Sequence, residues 1–280
     1  MKTIKYFFKF YYIGKEKYFG SQRQPNFLTI EDKLIQALKN KNYITNSKTS
    51  NFQVASRTDR YVSARGAVFS IETRKKPILM EINSILPEEI GIWAKAKVSS
   101  EANPRYDALL RWYKYVLKYP VEYLNAQKFN FKIVIKACKY LEGTHNFQNY
   151  SKRSKKEQRY TRELYAVFIE EMKDYLVFNF KSQAFLRQQI RRIIAKLIQL
   201  GFNEIAFKDF KNLFDPSKFH SYQPAEPQGL ILWEILYPEV IKFRSDKKSI
   251  DRMLRFFEDK KLEHGLKHQL FSLLEHNNSS

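Results

Sequence analysis

The chain has 280 residues, with 50 Lys plus Arg against 29 Asp plus Glu and a formal net charge of +21. Hydrophobic residues make up 44% and aromatic residues 16%, with 8 Gly and 9 Pro, which excludes a disordered, collagen-like or low-complexity chain because such chains lack the apolar side chains that offset ordering entropy. At about 150 residues per domain, the length fits one large domain or two modest ones.

Residues Ile4, Tyr6, Phe8, Phe10 and Tyr12 alternate with Lys5 and Lys9, the period of a strand with one buried face. The segment from Met1 to Phe10 is basic and apolar, but Lys9 interrupts it and no small-residue cleavage site follows, so it reads as a strand of a cytoplasmic protein. Gly14 and Gly20 bracket a turn. Thr29 precedes Ile30, Leu34 and Leu38 at four-residue steps, with Asp32 three residues on, a pattern like a capping box at a helix start. Phe52 to Ala55 and Ala67 to Ile71 read as strands around the polar run Ser56-Arg57-Thr58-Asp59-Arg60. Pro77 opens a short helix with Ile78, Ile82 and Ile85, and Pro87 closes it. Ile90 to Val98 alternates as a strand. Leu109 to Tyr119 is another, with Arg111, Tyr113 and Tyr115 on one face.

Lys132 to Leu141 is helical, with Cys138 on its apolar stripe. This lone cysteine excludes a disulfide framework, is simplest as a small core residue and fits a reducing compartment. Lys152 to Arg162 reads as a charged loop, and Leu164 to Ile169 with Tyr175 to Phe180 as a hairpin. A basic amphipathic helix is predicted from Phe185 to Leu200, ending at Gly201, with Arg187 and Arg191 on one face. Leu230 to Leu236 is a last strand. From Glu239 the chain reads as a charged helical extension with apolar residues Leu254, Phe257 and Leu270. Helices mixed with antiparallel strands argue for an α+β fold. Asn103-Pro104 is the candidate boundary, dividing the chain into 1–103, 104–238 and the extension 239–280. No apolar run reaches the ~20 residues of a membrane span.

The charge surplus points to a polyanionic partner, RNA or DNA. A lysine-rich surface accounts for part of it, but not for arginines beside aromatic and turn residues, as at Arg57, Arg111, Arg187, Arg191 and Arg192. No phosphate loop, dinucleotide fingerprint or Gly-x-Ser-x-Gly elbow occurs. No metal-ligand set stands out, since His264, His268 and His276 lie in a polar tail that reads as solvated surface. Carboxylate, tyrosine and arginine chemistry remain. Asp59, flanked by Arg57 and Arg60, is placed to stay ionised, and an acid inside an RNA-attracting surface needs a purpose other than holding phosphate. The same run also suits a turn in which Asp59 bonds its own backbone. Arg111-Trp112-Tyr113-Lys114-Tyr115 suits base stacking, or an ordinary strand with aromatic core residues, the simpler assignment for Trp112. Arg187 and Arg191 at i, i+4 repel mildly unless an anion lies between them; otherwise they form a solvated face.

Together these segments resemble the TruA family of tRNA pseudouridine synthases. The chain carries Arg57-Thr58-Asp59-Arg60-Tyr61-Val62-Ser63-Ala64, similar to the family's catalytic Arg-Thr-Asp motif and the Val-Ser-Ala or Val-His-Ala segment that follows. Tyr18 to Pro25, which includes Gln22 and Arg23, resembles its N-terminal segment, and Leu86 to Ile90 its Leu-Pro-x-x-Ile stretch. Arg105-Tyr106-Asp107-Ala108 and Arg111 to Tyr115 are similar to the strand bearing its active-site tyrosine. Leu141 to Phe147, Phe185 to Arg192 and Glu226 to Leu230 complete seven ordered matches across Ile4 to Pro238. One departure is Tyr61, where the family usually has Gly, a residue suited to a tight turn. Ser63 and Phe-Leu-Arg-Gln-Gln look closer to the archaeal and eukaryotic branches.

The resemblance implies a pseudouridine synthase fold: two α/β halves sharing an extended, mostly antiparallel sheet with a central cleft. It implies cofactor-free conversion of uridine to pseudouridine in tRNA, with the anticodon arm as usual target, by a homodimer. Asp59 would be the catalytic carboxylate, as nucleophile or as base. Arg191 would pair with it, and Tyr113 would stack on the uracil. Arg57 would insert where the base flips out. Arg60, Gln22, Arg23, Arg111, Arg187 and Phe185 would contact the RNA. A non-catalytic RNA-binding protein on the same scaffold is the chief rival, and Asp59 separates the two. A metal-dependent nuclease would need clustered acids that the basic segments lack.

Overall fold

A computed structural model describes residues 3–153 and 159–276. In chain order the elements are β1 (Ile4–Tyr12), α1 (Ile30–Asn40), β2 (Gln53–Val54), β3 (Ser63–Thr73), α2 (Leu79–Asn83) and β4 (Ile90–Val98). There follow β5 (Leu110–Pro120), α3 (Val121–Ala126), α4 (Phe131–Leu141), β6 (Gly143–Asn146), β7 (Thr161–Leu164), β8 (Ala166–Glu171) and β9 (Tyr175–Ser182). Last come α5 (Gln189–Gly201), α6 (Phe207–Asn212), β10 (Leu230–Leu236), β11 (Arg244–Ser245) and α7 (Lys247–His276).

Nine strands form one sheet in the order β11-β4-β1-β3-β10-β5-β9-β8, with β2 paired to β3, and β6 and β7 form a separate ribbon. Every pairing in the large sheet is antiparallel except β3 with β10, a parallel contact of two residue pairs, Ile231 with Ser63 and Leu232 with Ala64. The fold is the α+β pseudouridine synthase arrangement that the sequence implies. The β3–β10 joint places the site. Ala64, five residues after Asp59, lies beside Leu232, which lies opposite Tyr113 on β5.

Alternation decides the faces. Phe8 stacks on Phe69 at 4.8 Å between ring centroids on the helix-covered face, while Tyr11 on the reverse packs against Phe256 and Phe257 of α7. The capping box at α1 forms, with Asp32 N–H donating to Thr29 Oγ1 and Thr29 N–H to Asp32 Oδ2. Cys138 is buried on α4.

Several expectations change. The basic helix begins at Gln189 rather than Phe185, because Gln188 takes a left-handed conformation (φ 59°) that no helix continues through. The preceding turn tucks Leu186 into the core. Arg187 therefore does not share a helical face with Arg191. Trp112 is half-buried on the reverse face rather than a core residue. In the C-terminal extension Met253 and Phe256 are buried and Phe257 packs against them, but Leu254 and Leu270 are exposed, so no single stripe is covered. Part of the charged loop expected from Lys152 to Arg162, residues 154–158, lies outside the described residues, as does the side chain of His276.

Candidate active site

Residues 55–62 form the loop between β2 and β3, and the N-terminal segment fastens it. Thr58 N–H donates to Ser21 Oγ (2.8 Å), Ser21 N–H donates to Thr58 O (3.2 Å), and the hydroxyls of Thr58 and Tyr12 lie 2.8 Å apart. Gly20 (φ +91°) allows this approach, since a Cβ there would sit 2.9 Å from Thr58 O. Val62 N–H donates to Asp59 O (3.3 Å), closing the turn. Tyr61 then adopts φ 67°, a left-handed conformation that costs an L-residue roughly 1–2 kcal/mol.

Arg191, in the first turn of α5, reaches this loop across the cleft. Its Nη1 lies 2.9 Å from Asp59 Oδ2, and its Nε donates to Ala225 O at 2.8 Å. Ala225 N–H in turn donates to Arg191 O (2.9 Å), so backbone bonds lock the helix start to the segment entering β10. The arginine side chain is 10% exposed and the carboxylate 34%. Asp59 is thus half-open to the cleft rather than buried.

Tyr113 is buried beside the pair. Burial, with a smaller contribution from the nearby Asp59 charge, pushes its phenol up to about 12. The Phe185 ring meets it edge-on at 5.3 Å. Arg111, buried next to it on β5, has no carboxylate partner among the described residues. Its guanidinium donates to Ser56 Oγ (2.7 Å), Ala55 O (3.0 Å), Arg105 O (2.8 Å) and Gln183 O. It ties the loop to the strand, and desolvation lowers its affinity for the proton.

These groups line a cleft of ≈1230 Å³, larger than the ~300–1,000 Å³ usual for a small-molecule site. Among the described residues six arginines and no lysine line it, in a chain whose 34 lysines outnumber its 16 arginines two to one. A lysine-rich surface does not produce that choice. Planar guanidinium forks that match phosphate do.

A family model for tRNA pseudouridine synthases matches residues 137–238. The chain is 32% identical over 248 residues to a protein of Methanothermobacter thermautotrophicus named tRNA pseudouridine synthase A, covering 89% of this chain and 86% of that one. It is 31% identical to the protein of that name from Archaeoglobus fulgidus, covering 96% and 97%. For the Methanosarcina acetivorans protein the values are 33%, 87% and 88%. The chain belongs to the TruA family of tRNA pseudouridine synthases.

Of the residues that the family resemblance singles out, Asp59, Arg191, Tyr113, Arg57, Arg60, Arg111, Phe185, Arg187 and Gln22 all line the one cleft. Arg57, Arg187 and Gln22 are exposed there. Arg23 is not part of it. It lines an adjoining recess of ≈390 Å³, where its Nη1 donates to Ser47 Oγ and its Nε pairs with Asp32. Tyr12, Ser21, Ser56 and Ala225 were not singled out, because each acts on the site through one or two hydrogen bonds that no local pattern announces. Glu31 was missed too. It is buried on the cleft wall, Arg23 N–H donates to its Oε2 (3.3 Å), and its Oε1 has no partner among the described residues. Burial raises its carboxyl above the usual range, against the pull of Arg57 and Arg23.

Proposed function

We propose that this protein converts uridine to pseudouridine in tRNA without a cofactor, using Asp59 as its catalytic carboxylate. The observation that carries this is the Asp59–Arg191 ion pair at 2.9 Å on the wall of an arginine-lined cleft. The uracil must leave C1′ through N1, turn, and return through C5. Arg191 holds one carboxylate oxygen, and Oδ1 makes no hydrogen bond among the described residues, so it is free for the sugar–base linkage. Tyr113 stacks against the detached uracil, and its neutral hydroxyl serves the proton transfer that restores aromaticity after C5 attack. Arg57, exposed at the rim, takes the space from which the base is flipped. Arg60, Arg187, Gln22 and Phe185 contact neighbouring nucleotides, and Arg23 extends the contact into the side recess. Arg111 acts on the substrate through the loop it anchors.

In this reading residues 1–103 supply the acid loop, 104–238 supply the tyrosine strand and arginine helix, and 239–280 add a helical extension. The enzyme works in the cytoplasm as a homodimer on the anticodon arm. Among the described residues no helix is long and apolar enough to cross a membrane. The rival, a binding protein without catalysis, leaves the Asp59–Arg191 pair without a task. The test is tritium release from tRNA carrying 5-tritiated uridine, paired with mapping of pseudouridine in tRNA from cells with and without the protein. Release by the wild type and none by Asp59→Ala, with tRNA binding retained, is the expected result. Turnover by Asp59→Ala would remove the assignment.

A further inference from the structure

Asp59 is followed by Arg60 and Tyr61, and the proposed mechanism gives Tyr61 no role. Arg60 lies against two aromatic rings, its Cζ 4.0 Å from the Phe19 centroid and 4.8 Å from that of Tyr61. Phe19 is itself backed by Phe27, stacked at 4.2 Å. One edge of the guanidinium is fixed, since Nη2 donates to Glu16 O at 2.8 Å. Its Nε is buried and has no acceptor among the described residues, so Nη1 is the nitrogen open to a further ligand. Arg60 and Phe19 both line the cleft. Rings packed against the guanidinium direct a further ligand towards its plane, where Nη1 makes no hydrogen bond among the described residues, a geometry suited to holding a phosphate oxygen.

Tyr61 holds this arrangement from a strained backbone. Its φ of 67° puts a bulky side chain where few non-glycine residues go. Room exists because residue 14 is glycine: a Cβ there would lie 2.3 Å from the Tyr61 carbonyl carbon. Strain of this kind persists where the surroundings enforce it, and its position next to the catalytic acid marks it as functional.

We infer that Tyr61 is a positioning residue: with Phe19 it clamps Arg60 edge-on to the cleft as a holder of an RNA phosphate close to the target uridine. The inference rests on the proposed tRNA substrate. The ring, and not the hydroxyl, does the clamping, so Tyr61→Phe behaves as wild type. Tyr61→Gly removes the ring and the strain together.

The experiment measures kcat and KM on an unmodified tRNA transcript that the wild type modifies, together with thermal midpoints. Tyr61→Gly is expected to raise KM about 3–10-fold with kcat within twofold, at an equal or higher melting temperature. Arg60→Ala raises KM to a similar extent, and adding Tyr61→Gly to it has no further effect. An unchanged KM in Tyr61→Gly, or KM effects that multiply in the double variant, overturns the clamp. So does a KM rise accompanied by a lowered melting temperature in Tyr61→Gly, which makes the ring a structural prop. A wild type that modifies no tRNA instead overturns the proposed function.

Discussion

The two faces of the large sheet use the same residue classes to opposite ends. On the cleft face, Arg111 and Arg191 are buried and each is fixed by directed bonds, to Ser56, Ala55, Arg105 and Gln183 in one case and to Asp59 and Ala225 in the other. On the reverse face, Lys9, Arg65, Lys114 and Lys181 lie over Trp93, Trp112 and Trp233 at 4.3–5.7 Å from the ring centroids. Those cations are half-buried and Lys9 and Lys114 are paired with Glu234 and Glu170. Cations and aromatics in alternation do not by themselves make a site. Desolvation and fixed acceptors make the cleft face a preorganised one, while the reverse face, away from the patch that α7 covers, carries half-buried snorkelling side chains over the tryptophans.

The comparison can be broken most directly at Asp59. Asp59→Ala is expected to abolish product formation while tRNA affinity stays within about twofold, measured by tritium release and filter binding. Next in size, Arg191→Ala should lower kcat by roughly 10²–10³, the usual loss when a preorganised electrostatic partner is removed, read in single-turnover assays. Tyr113→Phe keeps the ring and loses the proton carrier, so kcat should fall by about 10²-fold with KM unchanged.

The buried phenol also gives a pH test. Its folded value of about 12 lies above the ordinary 10, so between those values the native state retains a proton that the unfolded chain has lost. The stability it contributes is complete below pH 10 and is lost as pH rises towards 12. Urea midpoints between pH 9.5 and 11.5 should therefore fall less steeply for Tyr113→Phe than for wild type. Smallest is the reverse face. Lys181→Ala, which removes a cation 4.3 Å from Trp112, should change stability by about 0.5–1 kcal/mol and leave kcat unaltered. A tenfold drop in kcat there would erase the distinction between the faces.

The regular elements were legible because their periods are local. Alternation at Ile4 to Tyr12 and at Ile90 to Val98 gives β1 and β4 with the expected bounds. The polar four-residue β6, the six-residue helices α3 and α6 and the two-residue β11 were missed, since each is too short to establish a period. The start of α5 was misplaced because Gln188 looks like any helix former, and nothing in the local sequence marks its left-handed turn. Seven of the arginine, tyrosine and acid positions that line the cleft could be named from motif order. What joins them could not: Arg191 and Asp59 are 132 residues apart, and the seam that brings them together is a parallel contact of two residue pairs.

All three tryptophans of the chain, Trp93, Trp112 and Trp233, sit on the reverse of the sheet and none lines the cleft. Ultraviolet emission from these indoles therefore reports on the integrity of the sheet and not directly on cleft occupancy. A tryptophan introduced at Phe185 would add an optical probe next to Tyr113, and its signal could be read against a background that the bound nucleobase does not touch.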